Sequence, residues 1–155
     1  MAGMLVSAEP DDELVTFALG SCLGVAIHDP VAQVGGLLHA MLPLSASDPE
    51  RAASNASAFV DTGVPALFRA CYEAGARKER IVVKVAGGAS PANLGDGDLF
   101  QIGPRNMVVL RKLLWKNGVL LKAQDVGGAI SRTMTLCVGT GKVMVKSSGT
   151  TYELA

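Results

Sequence analysis

Apolar residues occur along this chain in short runs, separated by glycine, proline and small polar residues. Several runs alternate apolar with polar or small positions, which is the two-residue period of a half-buried strand. The turn residues at their ends mark where each strand stops. The pattern predicts strands over residues 4–7, 14–19, 22–28, 35–42, 81–86, 119–123, 132–138 and 142–146.

Two segments follow the helical period instead. In residues 62–74 the apolar positions, Cys71 among them, recur three and four apart, and Asp61 or Thr62 is placed to cap the helix. A second helix is predicted over residues 103–116, where proline occupies an early position. Because strands dominate and short turns join most of them, we expect an α+β (layered α/β) fold with mainly antiparallel strands and two packed helices.

A chain of 155 residues is the size of a single domain, so we expect one domain over residues 1–155. Residues 1–12, apart from the short strand at residues 4–7, and residues 147–155 are predicted to be loose ends. Residues 45–57 are small and polar, which is typical of an exposed loop. That loop either borders a site or is an ordinary connection.

The segment from residue 16 to residue 39 carries the candidate chemistry. Asp29 and Pro30, followed by two glycines, indicate a tight loop between two strands, and therefore an antiparallel hairpin. A loop centred between residues 31 and 32 pairs Gly24 with His39 and puts Cys22 diagonal to His39 on one face. A register shifted by two residues pairs Cys22 and His39 directly, and a shift by one separates them onto opposite faces.

A thiol beside an imidazole is the arrangement that nucleophilic catalysis needs, because the histidine can take the proton of the attacking sulfur. His28 has the same parity as Cys22, but it is six residues along the strand, about 20 Å away at ~3.3 Å per residue. His39 is therefore the candidate base, and Thr16 is a candidate to orient it. The ordinary alternatives are a small buried cysteine, a half-buried histidine and a strand-forming threonine.

Composition narrows the possible functions. Fourteen basic and fourteen acidic residues give no net charge, so nothing favours nucleic acid or a membrane surface as partner. No apolar run is long enough to span a bilayer, and the first residues lack a signal-peptide pattern. Three cysteines without paired spacing indicate reduced thiols and hence a cytoplasmic location. Residues 93–98 lack the ligand pattern of a calcium loop, so we expect neither metal nor cofactor.

Several short motifs in one order resemble the CheD family of chemoreceptor glutamine deamidases, and the likeness covers nearly the whole chain. They are Leu19-Gly-Ser-Cys22, Gly35-Gly-x-x-His39-x-Met-Leu-Pro43, Val60-Asp-Thr62, Lys84-Val-Ala-Gly-Gly-Ala89, Ile102-Gly-x-Arg-Asn106, Asp125-Val-Gly-Gly128 and Thr140-Gly-Lys-Val-x-Val-Lys146. The resemblance implies that Cys22 is the nucleophile, His39 the general base and acid, and Thr16 the residue that orients His39.

The resemblance also implies a substrate and a partner. The substrate would be glutamine side chains of methyl-accepting chemoreceptors, hydrolysed to glutamate through a cysteine thioester during chemotaxis adaptation. The alternative is a non-catalytic regulator that binds a CheC-type phosphatase; a general cysteine peptidase is a third possibility. The chain departs from the family pattern at Ser131, where the family usually has glycine, and at Ser90 and Pro91.

Overall fold

The computed structural model describes residues 2–90 and 100–155, and in this part of the chain nine strands form two sheets. The helices are α1 (Pro49–Ser54), α2 (Val60–Glu73) and α3 (Ile102–Lys116). The strands are β1 (Gly3–Ser7), β2 (Glu13–Leu19), β3 (Leu23–Asp29), β4 (Val34–Ala40), β5 (Val82–Gly87), β6 (Leu121–Val126), β7 (Arg132–Cys137), β8 (Val143–Ser147) and β9 (Thr150–Glu153).

The first sheet has the strand order β1-β4-β3-β5-β6 and is antiparallel except where β5 pairs with β6. The second sheet has the order β2-β7-β8-β9 and is antiparallel throughout. Most strands follow one another through short turns, which is why antiparallel pairing dominates. The expected α+β fold with mainly antiparallel strands and two substantial helices is confirmed.

The first sheet is the middle layer of three. One face packs against α2 and α3, and the buried residues there are almost entirely aliphatic. The opposite face packs against the second sheet around a separate core cluster that includes Ala26, Leu37 and Met134. β3 and β4 are buried along their whole length because they are covered on both faces.

The two ends of the chain compare differently with the sequence-based expectation. β1, which pairs with β4 from Gly3 to Ser7, confirms the strand predicted over residues 4–7 in an otherwise loose start. The segment predicted to be loose at the end contains β9, which pairs with β8. All four residues of β9 are exposed, so its edge position leaves no apolar alternation to detect.

The polar segment predicted as a loop over residues 45–57 contains the short helix α1. The Asp48 side chain accepts a hydrogen bond from Arg51 N, and Pro49 occupies the first helical position, so the two residues form a helix start rather than a break. The start of α2 also differs: its N-cap is Phe59, and the Asp61 carboxylate binds Ser45 instead. Within the described residues, no helix is long and apolar enough to cross a membrane.

Candidate active site

Of the three registers left open by the sequence, the hairpin adopts the one with its loop centred between residues 31 and 32. Gly24 pairs with His39 and Leu23 with Ala40, so the position diagonal to His39 on β3 belongs to Cys22, just beyond the end of the strand. Diagonal neighbours across an antiparallel pair lie about 7–8 Å apart, within reach of side chains that point toward each other. The register therefore brings the thiol and the imidazole to one end of the hairpin.

Both side chains face the second sheet. A Cβ added to Gly24, opposite His39, would meet Leu19, Met134 and Thr16, all of the second sheet. Cys22 packs against the core between the sheets, whereas its neighbour Leu23 packs with the helices. The alternation along the strand thus separates the face that carries the candidate site residues from the face that packs against the helices.

A β-bulge in β2 positions the Thr16 side chain next to His39. The pairing of β2 with β7 shifts by one residue between Thr16 and Leu19, leaving Phe17 and Ala18 out of register. Ala18 adopts the left-handed conformation with φ 57°, which is uncommon for a residue with a side chain. The extra residue lets Thr16 and Leu19 both turn inward, and Thr16 Oγ1 lies 2.8 Å from His39 Nδ1.

The turn that carries Cys22 is held through its carbonyl groups. Gly20 O accepts from Ala89 N at 2.9 Å, Ser21 O from the Asn106 side chain at 3.0 Å, and Cys22 O from Gly88 N at 2.9 Å. In the described part of the chain, the backbone N–H groups of Ser21 and Cys22 have no backbone carbonyl or other residue as partner. Because the carbonyl groups hold the turn in place, these two N–H groups can donate to an anion that develops beside it.

Burial changes the acidity of both reactive groups. It raises the pKa of the Cys22 thiol, an effect that the residue's own backbone N–H partly offsets, and it lowers the pKa of His39. Both groups are therefore neutral near pH 7. Among the described residues no hydrogen bond joins the Cys22 thiol to His39, so the resting site holds a thiol and an imidazole rather than an ion pair.

A cavity of about 240 Å³ opens beside the imidazole, between the edge strand β1 and β2. Its lining residues come from three strands and include both members of the threonine–histidine pair. They are Gly3, Met4, Leu5, Val15, Thr16, Leu37 and His39. In the described part of the chain no group of three or more histidine, cysteine or acidic side chains is placed to hold a metal ion.

The remaining titratable candidates lie elsewhere. His28, at the opposite end of the same face, bonds Val138 O through Nε2 at 2.6 Å. Cys71 is fully buried against the helix-facing core, as its position on the apolar stripe of α2 predicts, and burial raises its pKa to about 12. Cys137 lies 3.9 Å from Glu13, and all three cysteines are free thiols.

Two residues important to this geometry are missed from the sequence. Gly24 leaves the space that Thr16 and Leu19 occupy, and a glycine inside a strand does signal such a close approach. Asn106 is fully buried, and a polar residue on the apolar stripe of a helix is the signal that could have found it. Ser131, the departure from the family pattern, does not have a positive φ, so no strain arises there. Pro91 and residues 93–98 lie outside the described residues.

The fold and the site define an α+β protein with a cysteine, a histidine and a threonine at one end of a hairpin between two sheets. The family model described as CheD chemotactic sensory transduction matches residues 41–147, more than half of the chain. This protein belongs to the CheD family. The matched region begins after His39, so family membership is established independently of the three site residues.

Curated relatives match over nearly the full length. One from Syntrophus aciditrophicus, named probable chemoreceptor glutamine deamidase CheD 1, is 53% identical over 93% of this chain and 89% of its own. The probable chemoreceptor glutamine deamidase CheD of Solibacter usitatus is 44% identical over 99% and 90%. A third, named probable chemoreceptor glutamine deamidase CheD 2, from Anaeromyxobacter dehalogenans, is 44% identical over 93% and 89%.

Proposed function

We propose that this protein is a chemoreceptor glutamine deamidase, a cysteine amidohydrolase that converts glutamine side chains of methyl-accepting chemoreceptors to glutamate. The names of relatives that match nearly the whole chain support the reaction and the substrate. The observation that carries the assignment to residues is the hairpin register, which pairs His39 with Gly24 and puts Cys22 diagonal to it on the same face. Thr16 and His39 are joined by a 2.8 Å contact beside the thiol.

In the first step His39 acts as general base. With its proton on Nδ1 held by Thr16 Oγ1, the imidazole presents the lone pair of Nε2 to the thiol. His39 takes the thiol proton as Cys22 Sγ attacks the side-chain amide carbon, and a C–S bond forms. A neutral pair suits this step, because burial disfavours a resting thiolate and imidazolium.

The second step releases ammonia. The imidazolium gives its proton to the amide nitrogen, the C–N bond breaks and a thioester on Cys22 remains. Water, deprotonated by His39, then attacks the thioester, the C–S bond breaks, and the thiolate recovers its proton. The net reaction consumes one water and yields ammonium and a glutamate carboxylate, because the proton of the carboxylic acid passes to the released ammonia, and it uses no cofactor.

The anionic oxygen of each tetrahedral intermediate needs donors. The N–H groups of Ser21 and Cys22 are the candidates, because they belong to the turn that carries the sulfur and bond to no other residue in the described structure. Each turnover replaces a neutral receptor side chain with an anionic, methylatable one. Added charge on neighbouring helices changes their repulsion, which links the reaction to chemotaxis signalling in the cytoplasm.

Mass spectrometry of a receptor fragment tests the proposal. Wild-type protein should produce the mass gain of amide-to-acid conversion at specific glutamines, and Cys22→Ala should produce none. Cys137→Ala is the matched control, since Cys137 is also a half-buried free thiol and should leave the conversion intact. Conversion by the Cys22→Ala variant, or none by the wild type, would contradict the proposal.

A second candidate function is regulation of a CheC-type phosphatase. The observation that favours it is Phe17, which is 66% exposed in the bulge between Thr16 and the nucleophile turn. A partner that buried this ring would contact the chain next to Thr16. Equal activation of the phosphatase by wild type and by Cys22→Ala would show that this role does not need the nucleophile, and failure of both to bind would exclude it.

A further inference from the structure

Asn106 is a buried amide with one unsatisfied end. It lies on the inner face of α3 with no exposed surface. Its Nδ2 donates to Ser21 O at 3.0 Å and to Met41 O at 3.1 Å. Its Oδ1 is buried and has no hydrogen-bond partner in the described structure. An unpaired buried acceptor destabilises the folded state, so this residue needs an explanation beyond packing.

The orientation of the amide follows from its partners. Both partners are carbonyl oxygens, which only accept, so the NH₂ end must face them and the carbonyl end must point away. Asparagine is the shortest side chain that offers two N–H donors on one atom. A leucine of similar size would remove the unpaired oxygen, but it would leave two backbone carbonyls without the donor they have here.

The bond to Ser21 O determines where the Cys22 N–H points. The two groups belong to the same peptide unit, and in a planar trans peptide the C=O and N–H point in opposite directions. The described chain contains no cis peptide bond. When Asn106 holds the carbonyl toward the interior, the N–H is directed away from α3. Ala89 N does the same for the preceding unit, since its bond to Gly20 O orients the Ser21 N–H.

The bond to Met41 O ties the same amide to the strand that carries the base. Met41 follows β4 and is two residues beyond His39. Ser21 and Met41 lie 85 and 65 residues from Asn106 along the chain. One side chain therefore spans the gap between the turn that bears the nucleophile and the strand end that bears the imidazole.

We propose that Asn106 is the positioning residue of the oxyanion site: by holding the Ser21 and Met41 carbonyls it directs the Cys22 N–H at the oxygen of the tetrahedral intermediate. This rests on the proposed deamidase function. Asn106 touches neither substrate nor the reacting atoms. Its effect is on the transition state, where the N–H bond to the developing anion is strongest, and not on the binding of the receptor.

The test is Asn106→Asp, which keeps the shape of the side chain but gives a carboxylate with no N–H to donate. We expect kcat for receptor deamidation to fall about 100-fold, the scale of a lost oxyanion donor. KM should stay within about two-fold, because receptor binding does not use the Cys22 N–H. Alkylation of Cys22 by iodoacetamide should stay within about three-fold, because that displacement forms no oxyanion and reports only the thiol.

Asn117→Asp is the matched control. It makes the same chemical change on α3, where the Asn117 side chain donates to Leu113 O away from the site, and it should leave kcat unchanged. Asn106→Ser is the milder second variant, whose single hydroxyl can donate to one carbonyl, and its kcat should be intermediate. Unchanged kcat in a folded Asn106 variant, or equal losses of kcat and alkylation, would overturn the proposal.

Amide exchange of the wild-type protein tests the geometry even if neither Asn106 variant folds. The Ser21 and Cys22 amides should exchange quickly, and the Gly88 and Ala89 amides, which bond the turn carbonyls, should exchange slowly. Protection of the Cys22 amide would overturn the proposal. Failure of the deamidase function is a separate outcome, because it would appear as an inactive wild type.

Discussion

The two ends of the β3–β4 hairpin each carry a histidine on the same face, and they differ in how their polar groups are satisfied. At the loop end, His28 bonds Val138 O, and Asp29 accepts from three backbone N–H groups and from the Arg80 guanidinium. At the open end, among the described residues, the His39 side chain is bonded only through Nδ1, to Thr16. The thiol of Cys22 has no side-chain partner in the described structure.

The difference teaches what separates a structural polar cluster from a candidate active site in one sheet. At the loop end the described polar side chains are hydrogen-bonded within the protein, which stabilises the fold, so these groups are not available to bind a ligand. The open end leaves an imidazole nitrogen, a thiol and two backbone amides available in one place. The following substitutions should therefore damage stability at one end and activity at the other.

Asp29→Ala should give the largest loss of stability, about 3–5 kcal/mol, because it leaves buried N–H groups and an arginine without their acceptor. Burial alone would raise the pKa of Asp29, but Arg80 and the backbone N–H groups hold it below its usual range. Its contribution is therefore full above the unfolded pKa of about 4 and is lost as pH falls further. Chemical denaturation at neutral and acid pH measures both effects.

The exposed pair of Lys142 and Glu153, at 3.8 Å, is the control. Glu153→Ala should cost less than about 1 kcal/mol, as surface ion pairs do. Equal losses for Asp29→Ala and Glu153→Ala would mean that the loop end is not the stabilising cluster described above.

Gly24→Ala should destabilise by about 1–3 kcal/mol, because the added methyl would lie 2.8 Å from both Leu19 and Met134. Deamidation should fall as well, since the third neighbour is Thr16. Gly3→Ala is the matched change on the other side of His39, where a Cβ meets nothing, and thermal denaturation should show no loss. Similar melting temperatures for the two variants would contradict the close packing at Gly24.

Thr16→Val should lower kcat about ten-fold, the value of one hydrogen bond of about 1.4 kcal/mol, because the imidazole loses the partner that fixes its tautomer. Thr16→Ser keeps the hydroxyl and should retain most of the activity. Thr135→Val, on the neighbouring strand β7, controls for the loss of a strand threonine. Full activity in Thr16→Val would remove Thr16 from the site.

The smallest effect is a displacement of the pH dependence. Because burial lowers the pKa of His39, the acid limb of kcat/KM should lie below the pKa of about 6.5 of an ordinary histidine. Because burial raises the pKa of Cys22, its alkylation by iodoacetamide should rise at a higher pH than that of a free cysteine. Alkylation that is already complete at acid pH would indicate a resting thiolate instead.

The hairpin could be predicted from the sequence, with its register narrowed to three alternatives, because the relevant signals are local. A loop bounded by Asp29-Pro30 and a glycine pair leaves few registers, and the two-residue period then decides which side chains share a face. Cys71 was equally predictable, since helical spacing alone placed it in the core.

The missed features depend on partners distant in sequence. The bulge at residues 17 and 18 is defined only against β7, and the role of Asn106 depends on carbonyls 85 and 65 residues away. The sequence of β9 is too polar to show the two-residue period of a strand. It forms a strand because the backbone groups at the edge of β8 pair with it. The start of α1 is a local signal, Asp48 followed by Pro49, which lies inside the segment predicted from the sequence to be an exposed loop.

The most direct measurement replaces each of the two histidines in turn with glutamine and follows deamidation of a receptor fragment. His39→Gln should lower kcat by about 100-fold or more, the contribution of a general base, with little loss of stability. His28→Gln should keep kcat within a few-fold while lowering the melting temperature, because its bond is to Val138 O. A variant lacking His39 that deamidates normally, or a greater loss of kcat in His28→Gln, would contradict the assignment of the open end as the catalytic one.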